Sequence, residues 1–266
     1  MLRYRKHFGF SVATLILVLS ALLSVAASAR AADKWASPFK GVLCLDRVKK
    51  NPNWHIHAVI AVLKTPGLRV AVTPPAMRGM TVSAYAKKAH AQIAVNASFF
   101  LSGFVPIGLT MGEGHLWRSD LDSKLDSHFV AAHNRVEIVD PGVPFTRAAW
   151  MTDIASARTL VLKNGAYVKE QQAFMLERAP RTAVGLSRDK KILIVMVVDG
   201  RSSASVGMTA KEEAKALVEL GAWTGLNLDG GGSTAMYIQG KGVVNHPSDG
   251  YERHTANQLV LYAPHL

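Results

Sequence analysis

Short apolar runs separated by turn-forming residues dominate the chain from residue 55 onward. The segment at 192–198 is apolar at every position, which predicts a central strand that is buried on both faces. Asn164-Gly165 separates two such runs and is a strong hairpin signal. Thirteen runs have the composition of strands: 55–63, 68–72, 92–100, 107–117, 128–132, 135–139, 159–163, 166–169, 182–186, 192–198, 225–228, 235–239 and 258–262.

Two segments have helical spacing instead. A threonine begins the helix predicted at 81–91, and Thr209 with Glu212 forms a capping box at the start of the helix predicted at 209–220. We expect an α+β fold with one large, mainly antiparallel sheet and two principal helices in a single domain. The predicted inner face of the second helix contains Ala214, Leu217, Val218 and Gly221.

The first 31 residues are expected to be a leader. Basic residues precede an apolar run at 11–27, and small residues suited to cleavage follow it. We therefore predict a signal peptide at 1–31, a domain at 32–266, and a periplasmic or secreted protein without a stable membrane span. The alternative is an uncleaved anchor, since about 17 apolar residues can just span a bilayer.

Composition narrows the classes of partner. The 266 residues carry a net charge of +12, and four of the 31 basic residues lie in the predicted leader, so +8 remains after cleavage. This excess suits anionic partners such as phosphorylated glycans or wall polymers. Nucleic acid is disfavoured because the sequence has no basic helix, aromatic RNA motif or zinc finger. The single cysteine excludes an internal disulfide framework and a Cys-rich zinc site, and the oligomeric state is left open.

Polar residues follow three of the predicted strands, where a substrate could reach them. Asp199 and Asp229 are a candidate pair of carboxylates for acid–base or nucleophilic chemistry at an anomeric carbon. Arg181 and Arg201 could bind phosphate through forked hydrogen bonds. The loop after Asp229 predicts an anion-binding nest made by Gly230, Gly231, Gly232, Ser233 and Thr234.

A metal site has weaker support in the sequence. His55 and His57 alternate along a strand, and a structural role for them is favoured over metal ligation. No cofactor is predicted, and a divalent cation is left open.

Six motifs together resemble the phosphodiester glycosidase family. They occur in the family's order over roughly residues 55–263, and each alone is weak. Ala97 and Ser98 depart from the family pattern, which has two glycines there, so the sugar preference could differ. The motifs are Asn96–Phe100, Arg181–Gly185, Asp199–Arg201, Gly207–Thr209, Asn227–Ser233 and Pro247–Asp249.

The resemblance implies hydrolysis of a sugar-1-phosphodiester, which releases the sugar and leaves a phosphomonoester. It implies that the matched residues line one pocket, with Asp199 and Asp229 as the catalytic pair, Asn96 on sugar hydroxyls and Arg181 on the phosphate. Further substrate contacts are expected from Arg201, Asn227, Gly230, Gly231, Gly232, Ser233 and Thr234.

Three hypotheses remain open on the sequence alone. The first is an exported hydrolase acting on phosphate-linked carbohydrate of a cell envelope or extracellular glycan. The second is a non-catalytic module that binds envelope polysaccharide through its positive charge. The third is a metal-dependent phosphoesterase that uses Asp199 and Asp229 as ligands.

Overall fold

A computed structural model describes residues 33–117, 127–140, 145–157 and 159–266. The predicted signal peptide lies outside the described residues. Within those ranges, no helix has the length and apolar character that crossing a membrane would need. In chain order the elements are β1 (Lys34–Phe39), β2 (Val42–Lys49), β3 (Trp54–Val62), β4 (Arg69–Val72), α1 (Val82–Lys88), β5 (Ile93–Asn96), β6 (Phe100–Leu101), β7 (Val105–Pro106), β8 (Met111–Gly112), β9 (His115–Leu116), β10 (Ser127–Ala132), β11 (Arg135–Val139), β12 (Asp153–Ala157), β13 (Thr159–Lys163), β14 (Ala166–Tyr167), α2 (Ala173–Leu176), β15 (Arg181–Leu186), β16 (Ile192–Val198), α3 (Ala210–Glu219), β17 (Thr224–Asn227), β18 (Met236–Ile238), β19 (Gly242–Val243) and β20 (Gln258–Tyr262).

The largest sheet has eight strands in the order β1-β2-β3-β16-β15-β17-β13-β14. Strand β16 lies between β3 and β15 and pairs antiparallel with both. Its side chains alternate between two hydrophobic clusters, one on each face of the sheet. The prediction of a central strand buried on both faces is therefore confirmed. The hairpin predicted at Asn164-Gly165 is also present, between β13 and β14.

The single large sheet expected from the sequence is wrong, because the strands form several sheets. Two five-stranded sheets have the orders β19-β18-β5-β20-β4 and β11-β10-β12-β8-β9, and β6 pairs with β7. Antiparallel strands without a long crossover can join either sheet equally well, so apolar alternation does not reveal where the chain changes sheet. The first change of sheet falls after β3, since β4 pairs with β20 rather than with β3.

The main hydrophobic core lies between the sheets. It combines side chains from β3, β15, β16 and β17 with others from β5, β10, β18 and β20. Helix α3 covers the other face of the eight-stranded sheet, and α1 covers the other face of the sheet that contains β5. This arrangement brings the end of β5 against the segment after β17, where the Asn96 amide donates to the Asp229 carbonyl. The segment after β16 is linked to the same loop through the side chain of Asn245.

Helix α3 confirms the predicted capping box. The Thr209 hydroxyl accepts a hydrogen bond from the Glu212 N–H, and the Glu212 carboxylate accepts one from the Thr209 N–H. Val218 was predicted on the inner face but is 44% exposed. Glu213 is fully buried instead, which the pattern did not indicate because a carboxylate normally lies on the solvent side of a helix.

Candidate active site

Strand register aligns the end of β16 with the start of β3. Val198 pairs with Ile56, and the next residue, Asp199, donates its N–H to the His55 carbonyl at 3.0 Å. Because side chains alternate along a strand, Asp199 continues the face of β16 that points into the main core. The first candidate carboxylate is therefore fixed by the sheet rather than by a free loop.

The Asp199 carboxylate is buried and holds three polar partners. Its Oδ1 accepts hydrogen bonds from the His246 N–H at 2.8 Å and from the Asn245 amide at 3.3 Å, and its Oδ2 lies 3.3 Å from His55 Nδ1. Burial raises the pKa of Asp199, and the bonds from His246 and Asn245 oppose that rise. This side chain is positioned by at least two separate segments of the chain.

Asp229 follows β17 and is half-buried. Its N–H donates to the Ala97 carbonyl at 2.8 Å, and its Oδ1 accepts the Gly230 N–H at 2.9 Å. Burial raises the pKa of Asp229 to about 6, against lowering contributions from the Ser233 hydroxyl, the Gly230 N–H and the charge of Arg253. A carboxyl whose pKa is raised towards neutrality is suited to proton transfer.

Asn245 connects the two carboxylate segments. Its amide donates to Asp199 Oδ1 at 3.3 Å and to the Thr234 carbonyl at 3.1 Å, while its own carbonyl accepts the Met236 N–H at 2.7 Å. The end of β16 and the glycine loop after Asp229 are therefore joined through one buried side chain. The structure thus brings together the two segments that the sequence singled out as catalytic.

The anion nest predicted in the glycine loop does not form as expected. The N–H groups of Gly230, Gly231, Ser233 and Thr234 all donate within the protein, to Asp229 Oδ1, the Pro180 carbonyl and two carbonyls of the loop itself. Ser233 and Thr234 are also buried. Phosphate binding by these four N–H groups is therefore corrected: those of Gly230 and Gly231 donate to Asp229 and Pro180, and the short 3-10 turn at Gly231–Ser233 uses those of Ser233 and Thr234. A phosphate contact by the Gly232 N–H stays a prediction.

The glycines have a different role, which is to let charged side chains approach the loop. A Cβ on Gly231, whose φ is +59°, would lie 3.0 Å from the Arg201 guanidinium. A Cβ on Gly232 would overlap the end of Arg253 at 2.1 Å and the Asp249 carboxylate at 2.3 Å. Arg201 is exposed and contacts the Ser248 hydroxyl at 3.5 Å, so its guanidinium remains accessible beside the loop.

Two asparagines predicted to contact the substrate are buried and form hydrogen bonds with the backbone. Asn96 has no exposed surface; its amide donates to the Asp229 carbonyl at 2.5 Å, and its oxygen accepts from Thr182 and from the Ala235 N–H. Asn227 also has no exposed surface; its amide donates to the Leu228 carbonyl at 2.6 Å, and its side-chain oxygen is buried without a hydrogen-bond partner among the described residues. Direct sugar contacts by these two residues are corrected, because each is enclosed by the protein.

Arg181 is likewise buried, with 3% of its surface exposed. Its guanidinium donates to the carbonyls of Met208 at 2.8 Å, Glu177 at 2.7 Å and Phe174 at 3.2 Å, and it contacts the Met175 sulfur. The phosphate contact expected of Arg181 is therefore corrected to a supporting role, in which the side chain ties α2 and the segment before α3 to β15.

We expect Arg181→Met to act on stability. Loss of the guanidinium leaves the buried Met208 carbonyl and the partly buried carbonyls of Phe174 and Glu177 without these donors. The free energy of unfolding should therefore fall by about 2–4 kcal/mol. Urea denaturation measures this effect, with the exposed Arg78→Met as the control, for which less than about 0.5 kcal/mol is expected. Unchanged stability combined with weaker substrate binding would restore the phosphate role.

Asp46, His55 and His57 form a polar cluster next to Asp199. One ligand atom from each lies within 4.8 Å of those from the other two, which is a spacing that could hold a metal ion. Burial and the nearby His55 lower the pKa of His57 to about 4. His57 is thus a neutral imidazole at pH 7.

Sequence reasoning missed several residues around the site. The family resemblance implies a place in the pocket for Pro247–Asp249 but no particular contact, and Asn245, His246 and Arg253 carry no local signal in the sequence. They converge on Asp199 and on the glycine loop only because the chain after β19 passes over both. The spacing Asp249 to Arg253 is one helical turn, but these residues form their ion pair, at 2.6 Å, outside any helix.

Comparison with known proteins identifies the family. Residues 89–262 match the phosphodiester glycosidase family. The SPbeta prophage-derived uncharacterized protein YomE of Bacillus subtilis is 28% identical over 202 residues, which are 69% of this chain and 30% of that protein. Mouse N-acetylglucosamine-1-phosphodiester alpha-N-acetylglucosaminidase is 29% identical over 196 residues, which are 65% of this chain and 36% of the mouse protein. The chain therefore spans about a third of the length of these curated relatives.

The fold has a solved counterpart. The catalytic domain of zebrafish N-acetylglucosamine-1-phosphodiester alpha-N-acetylglucosaminidase superposes with a TM-score of 0.67 at 19% sequence identity, covering 87% of each chain. At that identity the likeness concerns the fold. The family match extends over well more than half of the sequence and includes Asp199, Arg201 and Asp229. The chain belongs to the phosphodiester glycosidase family.

Proposed function

We propose that residues 32–266 are an exported hydrolase domain that cleaves the C1–O bond of a sugar-1-phosphodiester in an envelope or extracellular glycan. The observation that carries the proposal is the position of Asp229: a partly exposed residue whose carboxyl has a pKa raised by burial to about 6, beside a glycine loop that the exposed Arg201 guanidinium approaches at Gly231. Family membership supports the same reaction class.

Arg201 is the phosphate-binding residue in this proposal. Its guanidinium is exposed at the glycine loop, whereas the guanidinium of Arg181 is enclosed by carbonyls. A planar guanidinium can donate two parallel hydrogen bonds to two phosphate oxygens. Its positive charge also offsets the negative charge of the substrate, which would otherwise be repelled by the carboxylates of Asp199 and Asp229. Arg253 adds positive charge to the same loop, although Asp249 pairs with it.

Asp229 acts as the general base. A phosphomonoester is a stable leaving group, so protonating it contributes less than activating the attacking water. A carboxylate with a pKa near 6 is mostly ionised at pH 7 and is a stronger base than an ordinary aspartate. It accepts a proton from water, whose oxygen bonds to the anomeric carbon while the C1–O bond breaks and the phosphomonoester leaves with the bonding electrons.

Asp199 is the second carboxylate of the pair. It is held by Asn245 and His246, and in the proposal its negative charge stabilises the positive charge that develops at the anomeric carbon in the transition state. Because Asn245 also binds the loop that follows Asp229, the two acids keep a fixed relation to one another.

Two aromatic rings offer a surface for the sugar. Phe99 and Phe174 are in edge-to-face contact, with ring centroids 6.1 Å apart, and Phe174 is 41% exposed. Phe99 lies two residues after Ala97, whose carbonyl receives the Asp229 N–H. Apolar faces of pyranose rings pack on such exposed rings, so these residues are proposed to contact the sugar.

The test is hydrolysis in ¹⁸O-labelled water. The name of the mouse relative specifies an N-acetylglucosamine-1-phosphodiester, so the first probe is the methyl phosphodiester of α-N-acetylglucosamine 1-phosphate, followed by hexose analogues. We expect free sugar and methyl phosphate, with no ¹⁸O in the phosphate, because water attacks carbon. Label in the phosphate would show attack at phosphorus and favour the phosphoesterase hypothesis, whereas saturable binding without any product would favour the polysaccharide-binding hypothesis.

Arg201→Ala is expected to raise KM by about 10–100-fold, with a smaller change in kcat, because a charge-assisted phosphate contact is lost. The effect should diminish at high ionic strength, since salt screens the exposed guanidinium. Steady-state kinetics at two salt concentrations measure both trends. Arg188→Ala, in the exposed turn between β15 and β16, is the matched control, and an equal loss in that variant would contradict the assignment.

A further inference from the structure

A second polar cluster lies beside the proposed active site and has no role in the proposed reaction. It consists of Asp46 on β2 and of His55 and His57 on β3, with one ligand atom from each lying within 4.8 Å of the other two. All three residues precede the region at 89–262 that matches the family. The cluster therefore requires an explanation of its own.

Strand geometry holds the three side chains on one face of the sheet. His55 and His57 are two residues apart, so their side chains leave β3 on the same side. Asp46 is the direct cross-strand partner of His57, which places its side chain on that side as well. Groups carried by two strands in the interior of a sheet are held more rigidly than groups on loops.

His57 has an unsatisfied nitrogen. The residue is 5% exposed, and its Nε2 is buried without a hydrogen-bond partner among the described residues. Buried polar atoms are nearly always satisfied, so an exception indicates a missing partner. The His55 ring lies close by, at a centroid distance of 4.2 Å.

His55 has the environment that a metal-bound histidine usually has. Its Nε2 lies 2.8 Å from Asp46 Oδ1, and its Nδ1 lies 3.3 Å from Asp199 Oδ2. A ligating imidazole commonly uses one nitrogen for the metal and gives the N–H of the other to a carboxylate, which orients the ring. Asp199 would supply that orienting carboxylate from the neighbouring strand end.

We propose that Asp46, His55 and His57 bind one divalent transition-metal ion of the Zn²⁺ class. Two imidazoles and one carboxylate form a donor set that suits Zn²⁺ better than Ca²⁺ or Mg²⁺, which prefer oxygen ligands alone. Three protein ligands leave one position of a tetrahedral ion open. The site is separate from the proposed roles of Asp229 and Arg201, and its existence does not depend on the reaction.

The test measures metal binding directly. Purified, untagged protein is treated with chelator, desalted and titrated with ZnCl₂ by calorimetry, and bound metal is counted by mass spectrometry. We expect one equivalent per chain with a dissociation constant below about 1 µM. Co²⁺ should give visible absorption bands typical of four-coordinate nitrogen and oxygen ligation. Absence of saturable binding by the folded wild-type protein would overturn the proposal without reference to any variant.

Variants then locate the site. His57→Gln and Asp46→Asn should each weaken Zn²⁺ binding by at least about 100-fold, and Asp199→Asn by about 10-fold, because it orients a ligand without being one. His115→Gln, at an exposed strand, is the matched control and should bind like the wild type. Circular dichroism verifies folding of each variant. Wild-type affinity in both folded His57→Gln and folded Asp46→Asn would place the metal elsewhere and refute the assignment.

Discussion

Asp229→Asn is expected to lower kcat for a sugar-1-phosphodiester by about 10³-fold, since a carboxamide cannot accept the proton of the attacking water. The substitution conserves shape, and the oxygen that receives the Gly230 N–H can be retained. Folding should therefore be preserved. Release of free sugar measures the effect, with the exposed Asp189→Asn, in the turn between β15 and β16, as the control.

The pH dependence gives an independent readout of the same residue. Burial raises the pKa of Asp229 to about 6, and a general base acts in its ionised form. In the wild type, kcat/KM should therefore be constant above this pKa and fall about tenfold per pH unit below it. The residual activity of Asp229→Asn should lack this limb. Activity that instead falls as the pH rises through 6 would make Asp229 the general acid.

The elements that were predictable from the sequence are those with purely local causes. The capping box at Thr209 and Glu212 and the hairpin at Asn164-Gly165 depend on neighbouring residues only. The double-sided burial of β16 follows from an apolar residue at every position. Each of these signals is complete within about a dozen residues, so no knowledge of the tertiary structure is needed.

The site was only partly predictable, for a physical reason. The motifs identified the strand ends that carry Asp199 and Asp229, but a motif does not show whether a polar side chain points towards solvent or into the protein. Asn96 and Arg181 have the residue types of ligand-binding groups, yet their donors are used by internal carbonyls. The approach of His55 to Asp199 depends on the register of β3 against β16, which joins residues 144 positions apart.

Glu213→Gln is expected to abolish a large pH dependence of stability. Glu213 lies on α3 without exposed surface, and neither carboxylate oxygen has a hydrogen-bond partner within the described residues. Burial raises its pKa to about 8, and the charge of Arg181 only partly opposes this rise. A carboxyl whose pKa is higher in the folded state binds its proton more tightly there. It therefore stabilises the folded protein at a pH low enough to protonate it in both states. That contribution is lost as the pH rises from the unfolded value near 4.5 to about 8.

The loss should reach several kcal/mol, on the order of 3–5, since each pKa unit corresponds to about 1.4 kcal/mol. Glutamine stays neutral throughout, so its stability at pH 8 should exceed that of the wild type by this amount, whereas the two should converge at pH 4.5. Urea denaturation at both pH values measures the difference in the free energy of unfolding between the two proteins. The contributions of Asp229 and of other titrating groups are common to both proteins and cancel in this difference. Glu170→Gln, at an exposed position, should parallel the wild type. If the free energy of unfolding of Glu213→Gln depends on pH as that of the wild type does, Glu213 is ionised and paired in the folded protein, most directly with Arg181. The Arg181 guanidinium would then have to give up some of its hydrogen bonds to backbone carbonyls.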